Sequence, residues 1–352
     1  MNVRLCDARR ALVPCALMTI IAMFMLVSPA RAVLGSVSAD WPATKIARGS
    51  TVSVTGHVGG LQLSDGVFLQ QKVLGGWRNI SKTRLDGDNN YKLAIPAWWL
   101  GTRTYRVMSA SLLNSTLLGN ASTAWTVDVV PTYTPGGYES QYKYSTSTYA
   151  RWDPCRTIGY RVNARQATSG AIKDVQGAFT RLGHATGFHF VYRGTTTGIP
   201  QNGGNSWYPA GTQIVVAWAR PDQSSMLRLY SNAVGVGSAI TSGGYVNGDG
   251  TSVSRIIRGA VVLDSRRNYR AGFGTGSTRG DLVLHELGHT MGLGHVGSTK
   301  QIMYPMVTSG LARLGRGDLN GLERHGARLG CVKEATYRTD TSSYPLAMTV
   351  LP

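Results

Sequence analysis

Short stretches in which apolar and polar residues alternate fill the amino-terminal part of the chain. Alternation with a period of two is the pattern of a half-buried β-strand. The stretches cover residues 51–55, 67–70, 91–95, 104–107 and 125–129. Clusters rich in glycine, asparagine and aspartate separate them, as turns require. Several short strands without a helical stretch predict an antiparallel β-sandwich over residues 33–130.

The pattern changes after residues 131–137, a stretch with two prolines and two glycines that predicts a linker. Apolar residues at helical spacing predict helices over 169–186, 278–291 and 318–325. Apolar runs predict strands over 158–162, 188–192, 214–218 and 259–263. Strands that alternate with long helices predict an α/β domain over residues 138–336, followed by a tail over 337–352.

The first 32 residues have the pattern of a secretory signal peptide. Three arginines precede an apolar run over residues 11–27, and Ala30-Arg31-Ala32 has the small-x-small form of a cleavage site. The alternative is an uncleaved membrane anchor, which Pro14 and the shortness of the run disfavour. We therefore expect a secreted, extracellular protein with no transmembrane segment after signal removal.

The chain is strongly basic, with a formal charge of +18. This charge favours association with anionic surfaces such as cell-wall polymers, although it could equally serve solubility alone. Nucleic acid is not an expected partner, because no basic helix is interleaved with stacking aromatic residues. The oligomeric state does not follow from the composition.

Two of the four cysteines, Cys155 and Cys331, lie beyond the predicted signal peptide. An even pair of cysteines in an exported protein predicts a disulfide. This bridge would join the start of the α/β domain to its end.

The candidate chemistry lies in residues 285–295, which read His-Glu-Leu-Gly-His-Thr-Met-Gly-Leu-Gly-His. On a helix, His285 and His289 lie on one face, one turn apart, so that both imidazoles can bind one zinc ion. A positive φ at Gly292 would end the helix and bring His295 to the same ion.

Three protein ligands leave a fourth position for water, as in catalytic zinc sites. Glu286 follows the first ligand and is placed to act as general base on that water. The alternatives are a chance match or a structural zinc site. A structural site needs a fourth ligand, and no cysteine is close in sequence.

This motif resembles that of the metzincin clan of zinc endopeptidases. Metzincins place a methionine-containing turn beneath the metal, and Ile302-Met303-Tyr304-Pro305 is similar to that turn in the matrixin branch, the matrix metalloproteinases and their bacterial relatives. The resemblance implies one catalytic zinc ion, protein or peptide substrates, and a structural role for Met303 and Pro305. It also implies a closing helix that starts near Gly317 and Asp318.

Three features depart from the matrixins of animals. No cysteine of the predicted mature chain precedes Cys155, so the propeptide cysteine switch is absent. The second, structural zinc site is doubtful, because His184 and His189 are the only upstream histidines of the domain. Gly317 takes the place of the first of two paired aspartates, so a latch for an activated amino terminus is not expected.

The resemblance further implies how a substrate binds, since metzincins add an extended peptide to the exposed edge of a sheet. The small residues of the segment 234–240 would let a peptide backbone approach closely. We therefore assign Val234, Val236 and Ser238 to the substrate edge strand. The alternative is a flexible glycine-rich loop, because glycine weakens strands.

Calcium is a second possible metal, because Asn247-Gly248-Asp249-Gly250 offers oxygen ligands in a tight turn. The alternative for these residues is a plain β-turn.

The sequence as a whole predicts two domains in a secreted zinc metalloendopeptidase. The amino-terminal strands resemble the all-β immunoglobulin-like modules that precede catalytic domains in secreted bacterial proteins. The carboxy-terminal half is predicted to be an α/β metzincin (zincin-like) catalytic domain. The rival interpretation is a non-catalytic cell-wall or carbohydrate adhesion protein with a remnant metal domain.

Overall fold

A computed structural model of the chain describes residues 36–60, 66–109, 111–113, 116–118, 120–145, 149–203, 208–230, 232–306 and 312–335. The predicted signal peptide and the predicted tail, residues 337–352, lie outside these residues. No helix of the described ranges is long and apolar enough to cross a membrane.

The amino-terminal part of the described chain is built from strands alone. They are β1 (Lys45–Ala47), β2 (Val52–His57), β3 (Gly66–Val73), β4 (Gly76–Arg84), β5 (Asn90–Ile95), β6 (Gly101–Ser109), β7 (Ser111–Leu113), β8 (Thr116–Leu118) and β9 (Trp125–Val130). Five of them form a sheet in the order β1-β9-β6-β3-β4, while β2 pairs with β5 and β7 with β8. Buried residues of the five-stranded sheet and of the β2–β5 pair join in one hydrophobic cluster, for example Leu69, Val127 and Leu93.

The five alternating stretches of the sequence correspond to β2, β3, β5, β6 and β9. Strand β4 was not predicted, and its position in the sheet gives the reason. It lies at the end of the five-stranded sheet, and none of its residues is fully buried. Such a strand can be mostly polar, so it leaves no alternating pattern.

The carboxy-terminal part combines strands and helices. They are β10 (Lys143–Tyr144), β11 (Ala150–Arg151), β12 (Ile158–Asn163), α1 (Ala171–Thr186), β13 (Phe190–Thr195), β14 (Ile214–Ala219), α2 (Ser225–Leu229), β15 (Gly235–Val246), β16 (Ser252–Asp264), α3 (Arg279–Thr290), β17 (Leu293–Gly294), α4 (Arg316–His325), a 3₁₀ helix (Ala327–Leu329) and β18 (Lys333–Glu334). The main sheet has the order β13-β12-β14-β16-β15-β18, and β11 also pairs with β16. Strand β15 runs antiparallel to β16, whereas β12, β13, β14 and β16 are parallel.

The main sheet is covered on both faces, as the continuous apolar sequence of β14 requires. Ile214, Val216 and Trp218 point to one face and share the large core with α1 and α3. Ala219 points to the other face and packs near Met226 of α2. The helix α3 therefore lies against the sheet, close to β15 and β16.

Strand β16 is longer than the predicted stretch 259–263. Its first half pairs with β15 in a long hairpin that turns at Asn247 and Gly250. Arg255 and Arg258 lie in that half and are only partly buried. The apolar run is therefore interrupted, and the sequence pattern alone does not show where the strand begins.

The described residues belong to one compact unit, and several hydrogen bonds join its amino-terminal part to its carboxy-terminal part. The carboxylate of Glu323 in α4 accepts the Thr102 N–H at 3.1 Å, beside Gly101, where a side chain would overlap Glu323. The stretch predicted as a linker also makes contacts. The Tyr133 hydroxyl donates to the Leu314 carbonyl at 2.9 Å, and the Arg316 N–H donates to the Gly136 carbonyl at 2.9 Å.

The predicted disulfide between Cys155 and Cys331 is present, which confirms this expectation. It closes a loop with a sequence separation of 176 residues. Beside the bridge, the Asp153 carboxylate accepts the N–H groups of Cys155 at 3.0 Å and Val332 at 3.2 Å. The hydrogen bond from Val332 to the Asp153 side chain therefore joins the two chain segments next to the covalent link.

Candidate metal centre

The helix α3 carries the first two histidines of the motif, and local sequence signals define both of its ends. The Thr278 side chain accepts the Asp281 N–H at 3.2 Å and caps the first turn. The helix ends at Thr290, and Gly292 has a φ of +92°, a conformation that glycine adopts without strain. The chain then turns back, so that His295 returns to the same face of the helix.

The three motif histidines converge on one point. The Nε2 atom of His295 lies 3.1 Å from Nε2 of His285 and 3.1 Å from Nε2 of His289. The other ring nitrogens of the helical pair face carbonyl oxygens: Nδ1 of His285 is 2.7 Å from Ile302 O, and Nδ1 of His289 is 2.8 Å from Leu293 O. A carbonyl only accepts, so Nδ1 carries the proton in both rings and Nε2 presents its lone pair.

Burial keeps these rings neutral. It lowers the pKa of His285 to about 4 and the pKa of His289 to about 3. Lone pairs that point at one another repel unless a cation lies between them. Two nitrogen ligands of one tetrahedral zinc ion are roughly 3.3 Å apart, close to the separations found here. The three histidines, which form a possible metal-binding group, therefore fit a zinc ion.

Glu286 lies beside the histidines and is 4% exposed. Burial raises the pKa of Glu286 to about 8, while a hydrogen bond from the Gly237 N–H acts in the opposite direction. Two glycines of β15 let the strand approach this closely. A Cβ atom at Gly235 would lie 2.7 Å from Glu286 Oε1, and one at Gly237 would overlap the Glu286 carbonyl oxygen.

The turn after His295 runs beneath α3. Met303 is buried, and its sulfur occupies the space that a side chain at Gly288 would fill, on the turn of α3 between the two helical histidines. Pro305 lines the cleft in front of the histidines. Both residues thus lie next to the candidate metal centre.

Residues 226–325 match the family model for matrixins. This part of the chain is matrixin-like. The match confirms the resemblance seen in the sequence, and it indicates a metallopeptidase that acts on protein or peptide substrates through zinc. No curated protein matches the chain.

Asp318 supports the matrixin-like centre from α4, and sequence reasoning gave it no such role. Its buried carboxylate accepts the N–H groups of Ile302 at 2.6 Å, Met303 at 3.3 Å and Gly315 at 2.8 Å. Burial raises the pKa of Asp318 to about 6, against the effect of these hydrogen bonds. The carboxylate thereby joins the methionine turn to the start of α4.

Gly317 departs from the paired aspartates of animal matrixins, and the structure gives a physical reason. A Cβ atom at this position would overlap the Gln141 carbonyl oxygen. In this matrixin-like domain, the segment before β10 therefore occupies the space that a side chain at Gly317 would need.

Strand β15 is the edge of the main sheet next to Glu286. Within the described residues its outer side pairs only at Tyr245 and Val246, where β18 adds to it. The Asp264 N–H donates to the Val234 carbonyl at 3.0 Å. In an antiparallel ladder such pairs alternate, so the backbone groups of Gly235, Gly237 and Ala239 point away from β16.

The three residues that the sequence assigns to the substrate edge strand are therefore each one position away from the residues whose backbone groups point outward. By the same alternation, the backbone groups of Val234, Val236 and Ser238 point toward β16. The side chains of Val236 and Ser238 are buried. The Gly237 N–H, which bonds to Glu286, belongs to the outward-facing set.

A cavity of about 270 Å³ opens beside His285 and Glu286. Its walls include Val234 of the edge, Asp281 of α3 and Pro305 of the turn. Tyr133 and Arg313 also line it. The stretch that the sequence predicts as a linker thus contributes to a cavity of the matrixin-like domain, which no sequence pattern indicated.

His184 and His189 contact the amino-terminal strands or their flanking residues. His184 Nε2 lies 3.4 Å from a terminal nitrogen of Arg48, and the His189 ring packs against Trp98 with centroids 5.1 Å apart. Neither belongs to a possible metal-binding group of the described residues.

The candidate calcium residues form the turn of the β15–β16 hairpin. Asn247 Oδ1 accepts from Arg151 Nε at 3.0 Å, and Asp249 Oδ1 accepts from the Thr251 N–H at 3.1 Å. These oxygens already have protein donors, one of them cationic, so the structure favours the β-turn over a calcium site.

Proposed function

We propose that the chain is a secreted zinc-dependent metalloendopeptidase with Glu286 as the general base. One observation carries the proposal: the Nε2 atoms of His285 and His289 each lie 3.1 Å from that of His295, beside a buried carboxylate and within a matrixin-like segment. A structural zinc site needs a fourth protein ligand, and the described residues offer three histidines as a group at this point.

The residues of the chain have distinct roles in this mechanism. A zinc ion held by His285, His289 and His295 would supply a Lewis acid that polarises the scissile carbonyl and lowers the pKa of water. Glu286 accepts a proton from the attacking water and passes it to the leaving amine. A base must be ionised, whereas burial raises the pKa of Glu286 to about 8. The Gly237 N–H favours the ionised form, and a zinc cation bound beside the carboxylate would favour it further.

The free edge of β15 is proposed to bind the substrate as an added strand. The outward-facing backbone groups of Gly235 and Ala239, and the carbonyl of Gly237, would bond to alternate residues of an extended peptide. A series of peptide substrates, each N-methylated at one position, tests this interaction. Cleavage should fall for alternate positions, and equal effects at neighbouring positions would contradict it.

The activity is tested by zinc content and by peptide-library cleavage of the wild-type protein beside Glu286→Gln. Both proteins should hold one zinc ion per chain, while cleavage by the variant should fall by roughly 10²- to 10⁴-fold. His295→Ala serves as the control that loses both zinc and cleavage. Near-normal turnover by Glu286→Gln would refute the assignment of the base.

The second candidate is a cell-wall or carbohydrate adhesion protein with a remnant metal domain. A remnant is free to lose any ligand, whereas the three histidines and Glu286 are all in place. Pure protein that lacks zinc, cleaves no peptide and still binds cell walls would favour adhesion.

The proposal of a secreted metalloendopeptidase also includes a signal peptide over residues 1–32 and an immunoglobulin-like module over residues 33–130.

A further inference from the structure

A second concavity, of about 390 Å³, lies between α1 and the segment that precedes α4. We call it the junction cleft. Its charged or ionisable side chains are Arg48, Tyr133, Arg181, His184 and Arg313. They come from the turn after β1, the stretch 131–137, α1 and the segment before α4, so the cleft exists only in the folded chain.

The guanidinium groups of the junction cleft are held without carboxylate partners. Arg181 Cζ lies 3.6 Å from the centroid of the Phe273 ring, and Arg313 Cζ lies 5.3 Å from that of Tyr133. Among the described residues, no carboxylate lies within 4.0 Å of either group or of Arg48. One Arg181 N–H donates to the Gly177 carbonyl at 3.1 Å, and a terminal nitrogen of Arg48 lies 3.4 Å from His184 Nε2. A cation above a ring face leaves the rest of its in-plane N–H donors available to other acceptors.

Like charges in one cleft repel one another, and His184 lies next to two of the arginines. Burial, and to a smaller extent Arg48 and Arg181, lowers the pKa of His184. An anion in the cleft would reduce this repulsion and accept the free donors. The planar, forked guanidinium groups suit a carboxylate or a phosphate, each of which can accept two N–H bonds at once.

We propose that the junction cleft is a binding site for an oxyanion, recognised by Arg48, Arg181 and Arg313. The anion is either a free phosphate-like ion or the acidic side chain of a bound peptide. Tyr133 and Arg313 also line the cavity beside Glu286, so an occupant of the cleft contacts the wall of the active-site cavity.

The test is calorimetric titration of inorganic phosphate into the zinc-loaded wild-type protein and two variants. Saturating acetohydroxamate is present throughout to keep phosphate from the zinc. The wild type should bind one phosphate per chain, and Arg48→Gln and Arg313→Gln should each weaken binding by roughly tenfold or more. Arg181 is left unchanged, because its contact with Phe273 also serves folding.

Arg193→Gln is the matched control. Arg193 is exposed on β13 and does not line the cleft, so its loss changes the net charge equally and should leave phosphate binding unchanged. The absence of a saturable site in the wild type, or an equal loss in Arg193→Gln, would overturn the proposal.

A second experiment identifies the source of the anion. Of the two experiments, only this one depends on the proposed peptidase activity. Peptide pairs carry Glu or Gln after the scissile bond, and kcat/KM is measured with and without phosphate. The anion is the peptide side chain if the Glu peptide is cleaved better than the Gln peptide, and if both added phosphate and the Arg313→Gln substitution remove this preference. Equal cleavage of both peptides, with phosphate still bound, identifies a free anion.

Discussion

His285 and Asp318 are connected through the backbone of one residue, Ile302. The Ile302 carbonyl lies 2.7 Å from Nδ1 of His285, and the N–H of the same residue donates to Asp318 at 2.6 Å. The carboxylate also holds Gly315 at the start of α4. A buried acid 33 positions further along the sequence thus fixes the carbonyl that orients the first candidate zinc ligand.

Asp318→Asn should weaken zinc binding by roughly 10- to 100-fold, as is typical when an outer partner of a metal ligand is lost. An amide nitrogen would face an N–H donor, so the free energy of unfolding should also fall by about 1–3 kcal/mol. Competition with a zinc chelator measures the affinity. Asp222→Asn, which removes the same charge at an exposed position, is the control. Wild-type zinc affinity in Asp318→Asn would contradict the role of Asp318 in orienting His285 through Ile302.

Gly235→Ala should reduce kcat/KM strongly, because its Cβ atom would displace the Glu286 carboxylate. Zinc content should stay close to one ion per chain. Gly243→Ala is the matched control, since this glycine lies in the same strand and a Cβ atom there meets nothing within 4 Å. Peptide cleavage by the two variants measures the difference, and equal activity would show that the close approach of β15 is dispensable.

Met303→Leu should retain zinc and most of the activity but lower the free energy of unfolding by about 1 kcal/mol. Leucine has a similar volume, but its branched end fits the space beside Gly288 less well. Urea unfolding and cleavage assays on the same samples separate the two effects. Loss of zinc in this variant would instead indicate that the sulfur contributes to the metal centre.

The double variant Cys155→Ala/Cys331→Ala should be less stable by up to about 5 kcal/mol, since the bridge closes a long loop of the unfolded chain. The folded wild-type protein, expressed without residues 1–32, should show no free thiol by mass spectrometry after alkylation. Two alkylated cysteines in folded protein would contradict the bridge.

The Asp281 carboxyl should make stability depend on pH. Burial raises its pKa from 3.8 to about 6, so the folded state binds the proton more tightly than the unfolded chain does. The wild type therefore loses stability as pH rises from 4 to 6, and Asp281→Asn lacks this loss. The unfolding free energy of the variant relative to wild type should rise by roughly 2 kcal/mol over this range.

Urea titrations at several pH values measure this difference. Asp249→Asn is the control. Hydrogen bonds from Thr251 lower the pKa of the exposed Asp249 from 3.8, so its contribution is lost mainly at pH values below 3.8 and its difference from wild type should be nearly flat over this range. A flat difference between Asp281→Asn and wild type from pH 4 to 6 would show that the pKa of Asp281 is not raised in the folded protein.

The sequence was most informative where a short local pattern determines the structure. The spacing of His285 and His289, together with Gly292, predicts the helix, its end and the return of His295 without knowledge of the rest of the chain. The Thr278 cap is local in the same way. Asp318 acts on His285 across a long stretch of sequence, and no spacing rule indicates that contact.

Contacts between distant segments could not be predicted for a second reason. In the sequence, Gly235 and Gly237 are weak strand formers. Their lack of a side chain matters because α3 packs closely against β15, and that contact is not visible in the sequence. Tyr133 lies in a stretch of prolines and glycines that resembles a linker. Its place in the wall of a cavity depends on the packing of α4, which its own neighbours in sequence do not specify.

The hydrogen bonds of the stretch 131–137 affect how the chain can be processed. A protease must hold its substrate extended and accessible, but Tyr133 and Gly136 are bonded to Leu314 and Arg316. Cutting here first requires this stretch to detach from the wall of the cavity beside Glu286. The amino-terminal strands should therefore resist release from the folded protein, including release by the proposed peptidase activity of another copy.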